Sequence, residues 1–104
     1  MRSVSHVDPG RLRSRLEDRR DQVLDIATQH GARNVRVFGS VARSDHSAHS
    51  DIDLLVDLGP GVTFFMLGRL RRQLSELLDS PVDIVSAGAL LPRDADIVRE
   101  ARSL

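Results

Sequence analysis

The 104-residue chain has no cysteine, no lysine and no apolar run of the length that a membrane span or a signal peptide requires. Without thiols, disulfide bonds, thiolate metal sites and a cysteine nucleophile are excluded. The absence of an apolar run favours a cytoplasmic protein that does not contact membranes. Net charge is also lacking, because 15 basic residues balance 15 acidic ones. We therefore expect no direct binding of a nucleic-acid backbone.

Aromatic residues are scarce, at 3%, but the composition is otherwise that of a folded protein. Hydrophobic residues make up 40% of the chain and charged residues 29%, and this balance argues against extensive disorder. No repeat, linker or low-complexity tract interrupts it. The sequence predicts a single domain over residues 1–104.

Hydrophobic periodicity and turn residues predict alternating helices and strands. The predicted elements are a helix of about six turns from Pro9 to Gly31, a strand over 34–38, a helical turn over 40–43, a polar loop over 44–50, a strand over 51–57, a Leu-rich helix capped by Thr63, a strand over 81–85 and a helix over 92–102. This αβ(α)βαβα order indicates an α/β fold. We expect a small mixed sheet of three or slightly more strands, flanked by helices, with 51–57 as its middle strand.

Two aspartates at the start of the predicted middle strand are the first candidate site residues. Asp51 and Asp53 are separated by Ile52, and alternation along a strand directs residues two apart to the same face. Two neighbouring carboxylates repel each other unless a cation lies between them. Divalent ions with oxygen ligands supply that cation, and Mg²⁺ is the natural candidate.

A Gly-Ser turn supplies the second part of the predicted site. Glycine at position 39 allows a sharp turn and close approach of a phosphate, while Ser40 begins a helical turn whose N–H groups and hydroxyl can bind an anion. The turn faces the aspartates only if the strand ending at Phe38 runs antiparallel to the strand that begins near Asp51. A nucleoside triphosphate would then bind between the Gly-Ser turn and the aspartates.

Asp83 is the third candidate carboxylate. It lies near the start of the strand over 81–85, which follows a helix long enough for a parallel crossover from the middle strand. We therefore expect Asp83 to lie beside Asp51 and Asp53. Two ions could bind there, with Asp83 as a ligand or as a base for the attacking hydroxyl.

These residues resemble the signature of the nucleotidyltransferase superfamily that includes DNA polymerase beta. The resemblance is carried by VFGSVAR, SDIDLLVDL and PVDIVS, and its motif core spans residues 35–86. It is closest to the minimal members, called MNT domains, and implies a fold like a nucleotidyltransferase palm. One departure is Ser44, which stands where members often have glycine.

The resemblance also implies an activity. Minimal members are commonly antitoxins encoded beside a HEPN-domain ribonuclease toxin, and some transfer AMP from ATP to a tyrosine of that toxin. By this resemblance Gly39 and Ser40 would bind the ATP phosphates, Asp51 and Asp53 the magnesium ions, and Asp83 a metal ion linked to the acceptor hydroxyl. Arg43 matches the motif's arginine and would either steady a phosphate or brace the loop that carries the aspartates. The small size of the chain favours an acceptor that brings its own surface, as a protein does.

Two other functions stay open on the sequence alone. The chain could neutralise a toxin by covering it, without catalysis. It could also act on RNA or a small molecule, with an acceptor domain supplied in trans. His46 and His49 are interpreted as solvated loop residues, because two histidines without a third ligand do not make a metal site. The aromatic residues Phe64 and Phe65 are predicted to be core, or alternatively to face a partner or adenine.

Overall fold

The computed structural model describes residues 11–43 and 51–104, and the strands in that part of the chain form one mixed sheet. In chain order the elements are α1 (Arg11–Asp18), α2 (Arg20–Gln29), β1 (Ala32–Phe38), α3 (Gly39–Arg43), β2 (Ile52–Leu58), α4 (Phe64–Leu78), β3 (Val82–Ser86), 3-10 turns at Ala87–Ala89 and Pro92–Asp94, α5 (Ala95–Glu100) and β4 (Arg102–Ser103). The predicted α/β class is confirmed.

The sheet has the strand order β3-β2-β1-β4, so β2 is internal as the sequence predicts. Strand β1 pairs antiparallel with β2, and β2 pairs parallel with β3. The parallel direction agrees with the prediction from the helical crossover, and the antiparallel direction is the one that the predicted site requires if the Gly-Ser turn is to face the aspartates. The ends of β1, β2 and β3 that carry the candidate residues therefore meet at one end of the sheet.

The main core lies between one face of the sheet and the long helices. Alternate residues of β2 point into this core, and leucines of α4 pack against them. The fully buried members at this contact are Ile52, Leu54, Val56, Leu70, Leu74 and Leu78. Because side chains alternate along a strand, Asp53, Leu55 and Asp57 point to the opposite face. The side chain of the candidate residue Asp53 therefore points away from the main core, because the side chains of Ile52 and Leu54 on either side of it point into the core.

Two elements differ from the sequence prediction. The single first helix is broken at Arg19, whose φ of −108° and ψ of 17° separate α1 from α2; the cap predicted at Asp8-Pro9 lies outside the described residues. At the other end, the predicted helix stops before Arg102. Residues 102–103 instead pair with Arg36 and Val37 of β1. That pairing supplies hydrogen-bond partners to the edge of β1, which is distant in the sequence. Periodicity reflects only neighbouring residues and therefore does not predict it.

Both ends of α4 are stabilised by side chains. At its start the Thr63 hydroxyl accepts a hydrogen bond from Met66 N at 3.2 Å, as the predicted cap requires. At its end Asp79 adopts a left-handed conformation, with φ of 51°. The Arg15 guanidinium of α1 donates to the carbonyl oxygens of Leu78, at 2.8 Å, and of Asp79, at 3.2 Å. This cation lies where a helix C-terminus favours positive charge.

We expect Arg15→Met to lower the free energy of unfolding by about 1–2 kcal/mol, because it removes a charged donor from two helix-terminal carbonyls while keeping the apolar stem. Urea unfolding would measure the change. Arg20→Met is the matched control, since the Arg20 guanidinium contacts the exposed Asp21 carboxylate, at 3.4 Å, rather than a helix terminus. Equal losses in the two variants would contradict a capping role for Arg15.

Among residues 11–43 and 51–104, none of the helices combines the length and apolar composition needed to cross a bilayer.

Candidate functional site

The backbone turn at Gly39, where β1 ends and α3 begins, lies in close contact with the Asp53 carboxylate. Gly39 has a φ of +74°, a conformation that side chains with a Cβ rarely adopt. A Cβ placed there would lie well inside 3.0 Å of the Asp53 Oδ2 atom and 3.4 Å from the Asp53 Cγ. Glycine therefore permits both the turn and the close approach of backbone to carboxylate.

The strand register places two of the predicted carboxylates next to each other. Asp53 pairs with Phe38 of β1 on one side and with Asp83 of β3 on the other. Residues paired in register on adjacent strands direct their side chains to the same face. Asp53 is half-buried and Asp83 is exposed. The Gly39 turn, Asp53 and Asp83 therefore form a row across three neighbouring strands.

Asp51 lies immediately before β2 and its side chain is exposed. The next residue, Ile52, is fully buried, and its N–H donates to the Pro81 carbonyl oxygen at 2.9 Å. This anchor fixes the backbone at the start of β2 beside the start of β3. Asp51 thus stands at the same end of the sheet as Asp53 and Asp83.

A cation that the sequence analysis did not assign lies beside Asp83. The Arg71 Nη1 atom of α4 is 3.9 Å from the Asp83 Oδ1 atom, and both side chains are more than half exposed. Helical spacing assigns Arg71 to the solvent-facing side of α4. No local signal shows that this side chain reaches the edge strand β3, because the contact depends on how α4 packs on the sheet.

The carboxylates fit a magnesium site that is completed by a substrate. Among the described residues, no group of three or more carboxylate or histidine side chains is placed to hold a metal ion. Magnesium in phosphate-binding sites usually takes only one or two protein carboxylates, with phosphate oxygens and water as its other ligands. Asp51 and Asp53 supply that number of hard oxygen donors, next to a turn that a phosphate could approach. Their ligand roles, like that of Asp83, stay predictions.

Other predicted site residues are placed only by the backbone or lie outside the described part of the chain. Ser40 and Arg43 lie in α3, directly after the Gly39 turn. The predicted contacts of the Ser40 hydroxyl and the Arg43 guanidinium fall outside what the structure describes. The same holds for His46 and His49, which belong to residues 44–50.

The two aromatic residues at the start of α4 correct a sequence prediction. Phe64 is 93% exposed and Phe65 is 71% exposed, so the interpretation of this pair as core is wrong. Both precede the stripe of leucines that packs on the sheet. Hydrophobic composition does not distinguish a residue that fills the core from one that faces outward in an apolar patch.

Comparison with known families decides what kind of protein has this site. The family Polymerase beta, Nucleotidyltransferase matches residues 21–100, a range that includes the Gly39 turn and all three aspartates. The chain belongs to this nucleotidyltransferase family. The predicted superfamily is thereby confirmed, and the family is one of enzymes that transfer nucleotides.

Individual relatives agree with this membership. MJ0435 of Methanocaldococcus jannaschii, a proposed protein adenylyltransferase, is 36% identical over 81 residues, which cover 77% of this chain and 87% of that protein. MJ0126 of the same organism, also a proposed protein adenylyltransferase, is 29% identical over 66 residues, 64% of this chain and 67% of its own length.

Solved structures extend the comparison to the fold. A proposed minimal nucleotidyltransferase superposes with a TM-score of 0.80 at 45% identity, over 97% of this chain and 100% of its own. A chain from a toxin–antitoxin complex with AMP-PNP superposes with a TM-score of 0.69 at 20% identity, over 80% of this chain and 69% of its own. At that identity the second similarity establishes only a shared fold.

Proposed function

We propose that this chain is a protein adenylyltransferase that acts as an antitoxin. It transfers AMP from ATP to a hydroxyl group, most simply that of a tyrosine, on a HEPN-domain ribonuclease toxin encoded beside it, and so inactivates the toxin. The observation that carries the proposal is the Asp53 carboxylate, packed on the Gly39 turn and paired in register with Asp83. The relatives proposed to be protein adenylyltransferases support the choice of nucleotide and acceptor.

The turn and the two aspartates around β2 would bind the nucleotide. In this proposal the backbone at Gly39 and Ser40 approaches the ATP phosphates, and Arg43 steadies them. Asp51 and Asp53 would hold Mg²⁺, with a second ion also using Asp83. When bound, Mg²⁺ would neutralise charge on the phosphate oxygens during transfer of the adenylyl group.

Transfer replaces one phosphorus–oxygen bond by another. The acceptor hydroxyl oxygen bonds to the α-phosphorus, the bond from that phosphorus to the oxygen bridging the α- and β-phosphates breaks, and pyrophosphate leaves. The proton of the hydroxyl must be removed as the new bond forms. Asp83 is exposed at the edge of the site, where an approaching acceptor can reach it, and we assign it to orienting the hydroxyl and accepting this proton.

Selective labelling of ATP tests the reaction. The purified chain, Mg²⁺ and the protein encoded by the adjacent gene are incubated with ATP labelled at either the α- or the γ-phosphate. We expect label on the partner only from the α-phosphate, and none when a chelator removes the metal. Digestion and mass spectrometry would then locate AMP on a tyrosine. Label from the γ-phosphate, or label on added tRNA instead of protein, would contradict protein adenylylation.

Neutralisation by binding alone is a second candidate, favoured by one specific observation. The chain exposes two phenylalanines next to arginines on α4, a composition suited to contact with another protein. Such contact could silence a toxin without chemistry. The two functions differ in whether protection from the toxin requires Asp51 and Asp53.

A further inference from the structure

Helix α4 has a second face besides the one that packs on the sheet. A shallow groove of about 710 Å³ runs along its exposed side. The residues that line it are Phe64, Phe65, Gly68, Arg69, Arg71, Arg72 and Ser75. They extend from the first turn of the helix almost to its end, a length of about 17 Å at the rise of an α-helix. We call this surface the α4 groove.

The α4 groove combines apolar surface with a gap. Phe64 and Phe65 together form an exposed aromatic patch that is unfavourable in water. Gly68 follows Phe64 by one helical turn, and a Cβ at this position would meet no atom within 4 Å. Glycine also lowers helix propensity relative to alanine. The missing side chain leaves a notch into which a ridge of another helix can pack.

The charge of the groove is of one sign. Among the described residues, the charged side chains that line it are Arg69, Arg71 and Arg72, and of these Arg71 also lies 3.9 Å from the Asp83 carboxylate beside the groove. The Arg69 guanidinium carbon lies over the Phe65 ring, 5.9 Å from its centroid, so that cation and aromatic ring form one surface. An occupant that satisfies these groups must present carboxylates beside apolar side chains.

The groove approaches the candidate catalytic site at Arg71. A second depression, of about 260 Å³, shares Phe64, Gly68 and Arg71 with it and extends to Ile84 of β3. Ile84 packs against the main core, so alternation along β3 directs it to the opposite face of the sheet from Asp83. The link to the site is Arg71, whose Nη1 atom lies 3.9 Å from the Asp83 Oδ1 atom at the edge strand β3. A protein seated on α4 would therefore bring its neighbouring residues to the edge of the site.

From these observations we infer that the α4 groove docks an acidic amphipathic helix of the protein that receives the nucleotide. A helix matches the straight, three-turn length of the groove and the notch at Gly68, and its acidic residues match Arg69 and Arg72. The inference rests on the proposed function, because it identifies the occupant as the acceptor. Docking positions the acceptor hydroxyl near Asp83.

Titration calorimetry tests the docking with the purified protein of the adjacent gene as the probe. Two double variants remove separate features of the groove, Phe64→Ser/Phe65→Ser its apolar patch and Arg69→Glu/Arg72→Glu its charge. We expect each to weaken binding roughly tenfold or more, as truncation of aromatic and arginine anchors does. Only the charge effect should shrink as salt is raised. The matched control is Val98→Ser/Arg93→Glu, which changes an exposed apolar and an exposed basic residue near α5.

The outcomes separate docking from other roles of the groove. Wild-type affinity in both groove variants would overturn the inference, as would weakening by the α5 control to the same degree. Loss of Mg–ATP affinity in the groove variants would make the groove a nucleotide site. Dissociation of a wild-type dimer by the variants would make it a contact between copies of this chain. Either result overturns docking of an acceptor.

Docking and catalysis fail independently in these measurements. If the groove variants weaken binding but the wild-type chain transfers no label, the docking surface stands and adenylyl transfer is wrong. If transfer requires the aspartates but groove variants bind and transfer normally, the reaction stands and the docking inference is wrong. Far-ultraviolet circular dichroism and urea unfolding of each variant would show whether it retains the wild-type fold.

Discussion

Replacing Gly39 by alanine should reduce AMP transfer by roughly 100-fold or more, since displacement of reacting groups by about 1 Å can have an effect of that size. The added Cβ would collide with the Asp53 Oδ2 atom, and the φ of +74° is strained for alanine. Relief of the collision moves either the turn or the carboxylate. The measurement is the initial rate of transfer from α-labelled ATP, together with the free energy of unfolding.

Gly61→Ala is the matched control for backbone strain. Gly61 also has a positive φ, of +85°, but a Cβ there would meet no atom within 4 Å. Both variants therefore place alanine in a strained backbone conformation, and only Gly39→Ala disturbs a carboxylate. We expect Gly61→Ala to lose about 1 kcal/mol of stability and to keep its transfer rate. Comparable transfer rates in the two variants would contradict the role of the Gly39–Asp53 contact.

The parallel direction of β3 could be predicted from the sequence because the helix before Val82 has the length of a parallel crossover. The antiparallel direction of β1 follows from the expectation that the Gly-Ser turn faces the aspartates, and the connection between Phe38 and Asp51 allows it. Once these directions are set, the pairing of Asp53 with Asp83 needs only the correct register. The register is fixed by burial of Ile52 and Val82, since a slip of one residue in either strand would turn its own buried residue to the other face of the sheet.

Features that depend on distant contacts could not be predicted in this way. Strand β4 forms because residues 102–103 meet the free edge of β1, although their own pattern continues a helix. The position of Arg71 beside Asp83 likewise depends on the packing of α4 against β3. Phenylalanine is a residue type common in protein cores, and only the assembled fold shows that Phe64 and Phe65 lie outside the Leu-rich stripe. Their exposure agrees with the alternative prediction, in which the pair faces outward.

Asp51→Asn/Asp53→Asn should reduce AMP transfer by roughly 1,000-fold or more, because the proposed metal contributes several kcal/mol to transition-state stabilisation and each 1.36 kcal/mol changes the rate tenfold. The amides preserve size but remove the two negative charges. The rate of α-phosphate transfer to the partner measures the loss. A second readout is Mg-dependent binding of a non-hydrolysable ATP analogue, which should weaken in parallel.

Asp57→Asn is the control on the same strand and the same face of the sheet. The Asp57 carboxylate accepts hydrogen bonds from Arg36 Nη2 at 2.9 Å and Asn34 Nδ2 at 3.1 Å, near the opposite end of β2 from Asp53. Because this ion pair is partly exposed, its loss should lower stability by at most about 1 kcal/mol, without affecting transfer. A fall in transfer equal to that of the double variant would show that charge anywhere on this face matters, and would remove the case for a specific site.

The same double variant decides how the toxin is neutralised. If AMP transfer inactivates the toxin, cells that produce the toxin with Asp51→Asn/Asp53→Asn should not survive, although the variant still binds through its intact α4 groove. If binding alone is sufficient, the double variant should protect cells as well as the wild type, and Phe64→Ser/Phe65→Ser should fail to protect them. Because the groove and the carboxylates lie on different elements, each can be removed without the other, and survival of the two variants distinguishes catalysis from occlusion.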